Sequence, residues 1–318
     1  MDPHQTLAVY EVMYGMREFE SLVGEGVASG AIHGEMHLGI GQEIVAAVLG
    51  RYLQPGDAVV STHRPHLHGL AAGVDPVPML AEIFERDGLN HGKGGHMHLF
   101  DQAKSFMCTG IVGASAPLAA GYALRQRLDQ RGNLSVAVAG DGAVNQGAVA
   151  ETMNLAVLRG LPVLFLVEDN GYGISVSTQK STAGSLRHRA EAVGMPVREA
   201  NGTSLEEVDD AIRDSIGYVR AEVMPATAVV RVYRFRGHYE GDADLYRDAA
   251  EKDLAMSAVR DPLLILRGRI LADETVTASE LSQLEDSARA RVTAWRDEAL
   301  AASLPAPASA FAGVFADE

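Results

Sequence analysis

The feature that most constrains the fold is a strand–helix–strand pattern in the middle of the chain. Leu134–Ala139 and Val163–Val167 are short apolar runs bounded by Gly, Pro or Asp, and Glu151–Leu158 between them has helical periodicity. A further apolar run, Ala228–Val232, follows the helical stretch Leu205–Val219. Strands that alternate with helices predict an α/β fold, in which helices cover both faces of a parallel sheet.

Both ends of the chain are predicted to be helical. Residues 5–30 and Gln42–Leu53 have apolar side chains at helical spacing. Leu263–Leu271 and Ala278–Ala302 show the same periodicity near the other end. Because neither a repeat nor a linker interrupts the chain, residues 1–318 are expected to form a single domain with a helical C-terminal extension.

Residues 59–109 form a stretch rich in Gly and His. Apart from a short helical run near Met79–Phe84, no periodicity is evident there, so the stretch is expected to be mostly irregular. Long irregular segments in compact domains are usually functional, which makes this one a candidate binding region.

Composition excludes several classes of partner. The formal net charge is −15, whereas a nucleic-acid or anionic-membrane surface needs a positive field. The single cysteine, Cys108, cannot form an internal disulfide, and the chain starts without a secretory leader or any run of 18 apolar residues. We therefore expect a cytoplasmic protein that acts on a small molecule and binds neither nucleic acid nor membrane.

Two short polar sequences lie just beyond the predicted central strands. Gly140-Asp141-Gly142 follows the first strand, and Asn170 lies just beyond the next. Parallel strands joined by a crossover end at the same edge of a sheet, which brings Asp141 and Asn170 together. Carboxylate and amide oxygens suit Mg²⁺, which completes its shell with phosphate and water. Each sequence alone is also compatible with an ordinary tight turn, but their joint placement favours a site for metal and phosphate.

A longer stretch around these residues resembles a known family. Residues 140–175, GDGAVNQGAVAETMNLAVLRGLPVLFLVEDNGYGIS, are similar to the cofactor motif of the thiamine-diphosphate-dependent alpha subunits of 2-oxo-acid dehydrogenases. The resemblance extends from about residue 8 to residue 270. It implies the thiamine-diphosphate-binding fold, with thiamine diphosphate and Mg²⁺ as cofactors. Asp169 stands where the family has a first Asn, and this departure leaves the second, Asn170, in place.

The resemblance also implies roles for individual residues. Similar segments are residues 33–43, 91–100, 109–121 and 233–248. The implied metal ligands are Asp141, Asn170 and the backbone carbonyl of Tyr172. The implied catalytic residues, for proton transfer or substrate contact, are His37 and His238. The implied cofactor-binding residues are His63, Arg64, Gly110, Val112, Asp141, Gly142, Ala143, Asn170, Tyr172, Arg234 and His238.

Partners and substrate follow from the same resemblance. It implies a beta subunit in an alpha-two, beta-two assembly, because the glutamate that activates the aminopyrimidine comes from the beta chain in this family. It also implies a lipoyl-bearing acyltransferase as the acyl acceptor. His63 and the segment 237–242, GHYEGD, are more similar to acetoin dehydrogenase alpha subunits than to the pyruvate or branched-chain enzymes.

Two other classes of function stay open at this point. A zinc- or magnesium-dependent hydrolase is one, because the pairs His66-x-His68 and His96-x-His98 each offer two imidazoles, although no cysteine or H-E-x-x-H supports them. A non-catalytic relative that keeps the fold is the other. Joint retention of the residues implied for catalysis and metal binding counts against that second alternative.

Overall fold

The structure is a computed structural model that describes residues 1–274 and 276–312. Its α-helices are α1 (Pro3–Ala28), α2 (Glu43–Gly50), α3 (His66–Ala71), α4 (Pro76–Ile83), α5 (Ser115–Asp129), α6 (Gly147–Arg159), α7 (Thr178–Ser181), α8 (Leu186–Glu191), α9 (Leu205–Glu222), α10 (Ala249–Ala255), α11 (Pro262–Ala272) and α12 (Ala278–Ala301). Its strands are β1 (Ala58–Ser61), β2 (Phe100–Asp101), β3 (Phe106–Cys108), β4 (Ser135–Gly140), β5 (Val163–Asp169), β6 (Tyr172–Gly173), β7 (Val176–Ser177), β8 (Val197–Asn201) and β9 (Ala226–Arg231).

Seven of these strands form one sheet in the order β2-β3-β1-β4-β5-β9-β8. All neighbours are parallel except β2 and β3, which are antiparallel. At the centre, Gly140 of β4 pairs with Glu168 of β5, and Asp169 of β5 pairs with Arg231 of β9. The carboxyl ends of β1, β3, β4, β5 and β9 therefore meet at one edge of the sheet.

The sheet is buried on both faces. Along β4, Val136 and Val138 belong to the core packed with α1, α2, α9 and α12, whereas Ala137 belongs to the core packed with α5 and α6. In β5, Leu164 belongs to the first of these cores and Phe165 to the second. This two-sided burial explains why the central strands are continuous apolar runs, as parallel sheets require. The predicted α/β class with a helical C-terminal region is confirmed.

Local sequence signals define the ends of several helices. Asp2 caps α1 in a capping box with Gln5, and Thr277 caps α12 in the same way with Glu280. Helix α6 ends at Arg159, and the following residue, Gly160, adopts the left-handed conformation at φ 55° that favours glycine. None of the helices in the described part of the chain is long and apolar enough to span a bilayer.

Residues 59–109 are mostly irregular, as predicted, but they also contain short elements that the sequence did not predict. The predicted helical run near Met79–Phe84 corresponds to α4, and the stretch also contains most of β1 and all of α3, β2 and β3. The strands there give no sequence signal, since they are two to four residues long and too short to display a periodicity. The predicted helices at residues 5–30, 42–53, 151–158, 205–219, 263–271 and 278–302 are all present, with ends that differ by a few residues.

Candidate active site

A pocket of about 660 Å³ opens at the carboxyl edge of the sheet. Every residue that the sequence singles out for the site lines this pocket: His37, His63, Arg64, Gly110, Val112, Asp141, Gly142, Ala143, Asn170, Tyr172, Arg234 and His238. They come from segments far apart in the chain and meet because the parallel strands all end here. Ligands bind at this edge in open parallel sheets.

Asp141 and Asn170 follow two neighbouring strands, β4 and β5, which places their side chains at adjacent points of the edge. Asp141 is 1% exposed, and this burial raises the pKa of its carboxyl group. The Thr178 hydroxyl donates a hydrogen bond to the carboxylate. Asn170 accepts from the Tyr172 backbone amide through Oδ1, at 3.2 Å.

The donors around Asp141 fit a hard divalent cation. A buried carboxylate, an amide oxygen and the backbone carbonyl of Tyr172 are oxygen ligands of the kind that Mg²⁺ takes. Burial and the nearby Asp141 raise the pKa of Asp169. The two carboxylates therefore repel each other, and a cation bound here would reduce that repulsion. Space at this point is limited, because a Cβ atom on Gly142 would meet the Gly173 Cα at 3.1 Å.

Two buried guanidinium groups fit an anion. Arg64 donates to the carbonyl oxygens of Leu38 (2.7 Å) and His238 (2.6 Å), and Arg234 donates to the carbonyl of Ile174 (3.1 Å) and the hydroxyl of Tyr246 (2.7 Å). Neither forms an ion pair with an acidic residue of the described chain. Burial lowers the pKa of Arg64 to about 9 and also lowers the pKa of Arg234. Buried cations without an ion-pair partner are costly, and a diphosphate would supply that partner.

Four histidines pack together beside these arginines. The ring of His37 lies 4.7 Å from that of His63 and 4.8 Å from that of His238, and its Nδ1 is 3.1 Å from His96 Nε2. Burial and the Arg64 charge lower the pKa of His37 to about 3, of His63 to about 2 and of His238 to about 4. All three imidazoles are therefore neutral at pH 7. His63 Nε2 is buried without a partner in the described structure, which points to a ligand atom.

Among the described residues, the histidine pairs considered for zinc (66/68 and 96/98) do not come together as a group of potential metal ligands. His66 contacts Glu20 and His68 contacts Glu168, each at 3.2 Å, so these imidazoles are held by buried carboxylates. A different set, His37, His63 and His238, has ligand atoms within 4.8 Å of one another. Arg64 Nη2 lies 3.3 Å from His238 Nδ1, however, and its charge opposes a cation there.

Gln42 and Glu168 also line the pocket but were not predicted. Both are buried, at 2% and 4% exposure. The one available signal was Glu168, a carboxylate that directly follows the apolar residues of β5. Ile111 and Val112 also line the pocket and are 70% and 55% exposed, and neighbouring exposed apolar side chains of this kind can mark a surface that another molecule covers.

The fold and this pocket define an α/β protein whose pocket, at the carboxyl edge of the sheet, is lined by groups that fit an anion and a divalent cation. The family model described as dehydrogenase E1 component matches residues 11–308. Over 318 residues, 99% of this chain and 95% of the relative, the chain is 36% identical to the alpha subunit of acetoin:2,6-dichlorophenolindophenol oxidoreductase from Cupriavidus necator. The corresponding subunit of Bacillus subtilis is 40% identical over 251 residues, 78% of this chain and 75% of the relative.

A relative with a different name is equally similar. The alpha subunit of the pyruvate dehydrogenase E1 component from Zymomonas mobilis is 39% identical over 309 residues, 96% of this chain and 87% of the relative. The chain belongs to the dehydrogenase E1 component family, as an alpha-type member. Membership implies thiamine diphosphate as the cofactor, and the buried guanidinium groups of the pocket fit its diphosphate.

Proposed function

We propose that this chain is the alpha subunit of an acetoin or 2-oxo-acid dehydrogenase complex and works with thiamine diphosphate, Mg²⁺ and a beta subunit. The observation that supports this most strongly is the combination, in one pocket, of oxygen donors for a divalent cation with two buried guanidinium groups that lack acidic partners in the described chain. Few ligands other than a metal-bound diphosphate satisfy both halves of such a pocket.

Within this proposal, each part of the pocket holds a different part of the cofactor. Asp141, Asn170 and the Tyr172 carbonyl hold Mg²⁺. The residues that bind the diphosphate and the ring are His63, Arg64, Gly110, Val112, Gly142, Ala143 and Arg234. When bound, the cofactor supplies the nucleophilic carbon and the electron sink of the reaction.

The chain's own contribution to proton transfer comes from His37 and His238. Both are neutral at neutral pH because their pKa values lie at about 3 and about 4. Arg64 donates toward His238 Nδ1, which leaves the proton of that imidazole on Nε2, where it can be donated to a substrate oxygen. His37 contacts His96 through Nδ1, and its ring lies 4.8 Å from that of His238, so both imidazoles are placed together in the pocket for proton transfer or substrate contact.

The proposed partner is a beta subunit, in an alpha-two, beta-two assembly. Two observations support it: the relatives are named as alpha subunits, and Ile111 and Val112 leave apolar surface exposed in the lining of the pocket. A lipoyl-bearing acyltransferase is the proposed acyl acceptor. The single, unpaired Cys108 is consistent with a cytoplasmic location.

Acetoin is the proposed substrate, ahead of pyruvate or a branched 2-oxo acid. His63 and the GHYEGD segment at residues 237–242 support acetoin, as do the relatives named for it. The test compares kcat/KM for acetoin and pyruvate, with an artificial electron acceptor and the chain paired with its beta subunit. We expect acetoin to have the higher value; a clear preference for pyruvate or a branched 2-oxo acid would reject acetoin and leave the family unchanged.

The cluster of His37, His63 and His238 favours a second candidate, a zinc-dependent hydrolase. That function predicts bound Zn²⁺ and hydrolysis by this chain alone, without thiamine diphosphate. The adjacent Arg64 charge makes it the weaker candidate. A non-catalytic relative, by contrast, would bind no thiamine diphosphate even with the beta subunit present.

A further inference from the structure

A row of hydrogen-bonded polar side chains begins in the buried interior at Ser61 and reaches the lining of the pocket at Glu168, Gln42 and Asn170. Ser61 Oγ lies 2.9 Å from His68 Nδ1, and His68 Nε2 lies 3.2 Å from Glu168 Oε1. Gln42 Nε2 donates to Glu168 Oε2 at 3.3 Å, and Asn170 Nδ2 donates to Gln42 Oε1 at 3.0 Å. Each member contacts the next through one hydrogen bond.

We propose that Glu168 and Gln42 are positioning residues, which orient the Asn170 amide so that its oxygen, and not its nitrogen, faces the metal. This inference rests on the proposed function, because it concerns the Mg²⁺ site. Neither residue is a proposed ligand; both act through Asn170.

Glu168 sets the donor-to-acceptor direction of the hydrogen bonds in this row of side chains. A carboxylate accepts hydrogen bonds and donates none, so Gln42 must turn its NH₂ group toward it. The Gln42 oxygen then faces Asn170 and accepts a hydrogen bond from the Asn170 NH₂ group. Only Oδ1 of Asn170 remains for the pocket side, where it also accepts from the Tyr172 amide at 3.2 Å. An amide is nearly symmetrical in shape, so without this constraint either end could face the metal.

Burial makes the constraint strict. Gln42 is 2% exposed and Glu168 is 4% exposed, so water cannot easily replace a mismatched partner. Across the described residues, His68 is the one basic side chain that contacts Glu168. A carboxylate held in this way by one neutral amide and an imidazole is better suited to fixing hydrogen-bond direction than to pairing a charge.

The first test is Glu168→Gln, which replaces one acceptor oxygen by an NH₂ group with almost no change in shape. If the new oxygen keeps the contact with His68, the new NH₂ group faces Gln42, and both following amides must rotate. Asn170 would then present NH₂ to the metal. Partner residues behind a metal ligand commonly contribute about 10- to 100-fold in metal affinity. We expect a loss of that size when Mg²⁺ is titrated calorimetrically into the alpha–beta complex at saturating thiamine diphosphate.

The second test exchanges the two residues in the double variant Gln42→Glu/Glu168→Gln. The carboxylate introduced at position 42 would accept from Asn170 and from the amide introduced at position 168, whose oxygen would accept from His68. This arrangement restores the original orientation of Asn170, so Mg²⁺ affinity should return to within a few fold of the wild type. A purely structural role for Glu168 predicts no such recovery, because the exchange adds a second change to the same buried region.

A matched control is Asp57→Asn, the same oxygen-to-NH₂ replacement at another buried carboxylate. Asp57 lies just before β1, at the opposite edge of the sheet, where it accepts from the Leu134 amide at 3.0 Å and pairs with Arg220. We expect this variant to unfold at a lower temperature and to bind Mg²⁺ with unchanged affinity.

The possible outcomes distinguish a failure of the proposed function from a failure of the positioning role of Glu168 and Gln42. If the wild-type complex binds no thiamine diphosphate with Mg²⁺, the proposed function fails. If the wild type binds and Glu168→Gln binds Mg²⁺ equally well, the orientation is set elsewhere and the inference is overturned; a change of tautomer at His68 could produce this result. If Glu168→Gln does not fold, the exchanged variant decides alone: retained affinity supports the inference, and lost affinity in a folded protein rejects it.

Discussion

Replacing Arg64 by Met should stabilise the cofactor-free protein while weakening cofactor binding. Arg64 is 4% exposed, and its buried charge has no acidic partner within the described chain. Met fills similar space without a charge. The two effects have opposite signs only if the guanidinium is there to bind an anion, and this makes the substitution informative.

The structure provides a magnitude for each effect. Burial lowers the pKa of Arg64 from 12.5 to about 9, and at about 1.36 kcal/mol per pKa unit the charged form destabilises the folded protein by roughly 5 kcal/mol. The lost hydrogen bonds leave the Leu38 and His238 carbonyls unsatisfied, which offsets about 2–4 kcal/mol of this gain. We therefore expect the free energy of unfolding to rise by about 1–3 kcal/mol. For the cofactor, loss of a charge-assisted contact worth about 1.5–3 kcal/mol corresponds to roughly 10- to 150-fold weaker binding.

The stability effect also has a definite pH dependence. The folded-state pKa lies below the unfolded value, so the destabilisation by the charge is fully present below about pH 9. It declines as the pH rises from there toward 12.5, the unfolded value. The advantage of Arg64→Met should accordingly be complete at pH 7 and shrink above about pH 9.

Thermal unfolding of the alpha–beta complex, with and without thiamine diphosphate and Mg²⁺, measures both effects together. Arg247→Met is the matched control, since Arg247 is also buried but is paired with Asp244. Burial opposes the Arg247 charge, yet the contacts with Asp244 raise its pKa, so its removal should destabilise the protein by about 3–5 kcal/mol. A cofactor-free Arg64→Met complex that melts as early as the control, or that keeps wild-type cofactor affinity, would refute the reasoning.

Three further predictions concern the same pocket. Asp141→Ala removes a direct metal ligand, and calorimetry should detect no thiamine diphosphate binding in the presence of Mg²⁺; undiminished affinity would reject the metal assignment. The pKa of His63 is lowered from 6.5 to about 2, so the cofactor-free protein should lose stability as the pH falls below about 6.5, and His63→Gln should make that loss shallower in acid unfolding. Thr178→Val removes a hydrogen bond that lowers the Asp141 pKa, so the pH at which Mg²⁺ binding is half lost should move upward; an unchanged midpoint would show that this contact has no influence.

The central fold was predictable because its signals are local. The apolar runs of β4 and β5 are long enough to show their burial, and helices such as α9 have a clear 3.6-residue period. Strands β1 and β3 were not predicted, because strands of four and three residues are too short to show a period. They are specified by pairing with strands that are distant in the sequence. Whether residues 1–318 form a single domain stays a prediction.

Only part of the site could be predicted from the sequence. Asp141 and Asn170 could be placed together because topology alone brings the ends of β4 and β5 to one edge. The partners of His66 and His68 could not be predicted, because Glu20 and Glu168 reach them only through tertiary packing. Gln42 was missed for the same reason: a glutamine has no distinctive chemistry until its hydrogen-bond partners are known.

The central claim is that this chain supplies only half of an active site. The metal, the diphosphate and the ring contacts have candidate residues here, whereas the group that activates the aminopyrimidine is proposed to come from the beta subunit. A missing general acid–base commonly lowers catalysis by about 10²- to 10⁴-fold. The measurement is acetoin- or 2-oxo-acid-dependent reduction of an artificial acceptor by the purified chain alone and after addition of its beta subunit. The account predicts negligible turnover by the lone chain and turnover at least 100-fold higher, on the order of the loss just described, once the partner is added; full turnover by the lone chain would contradict it.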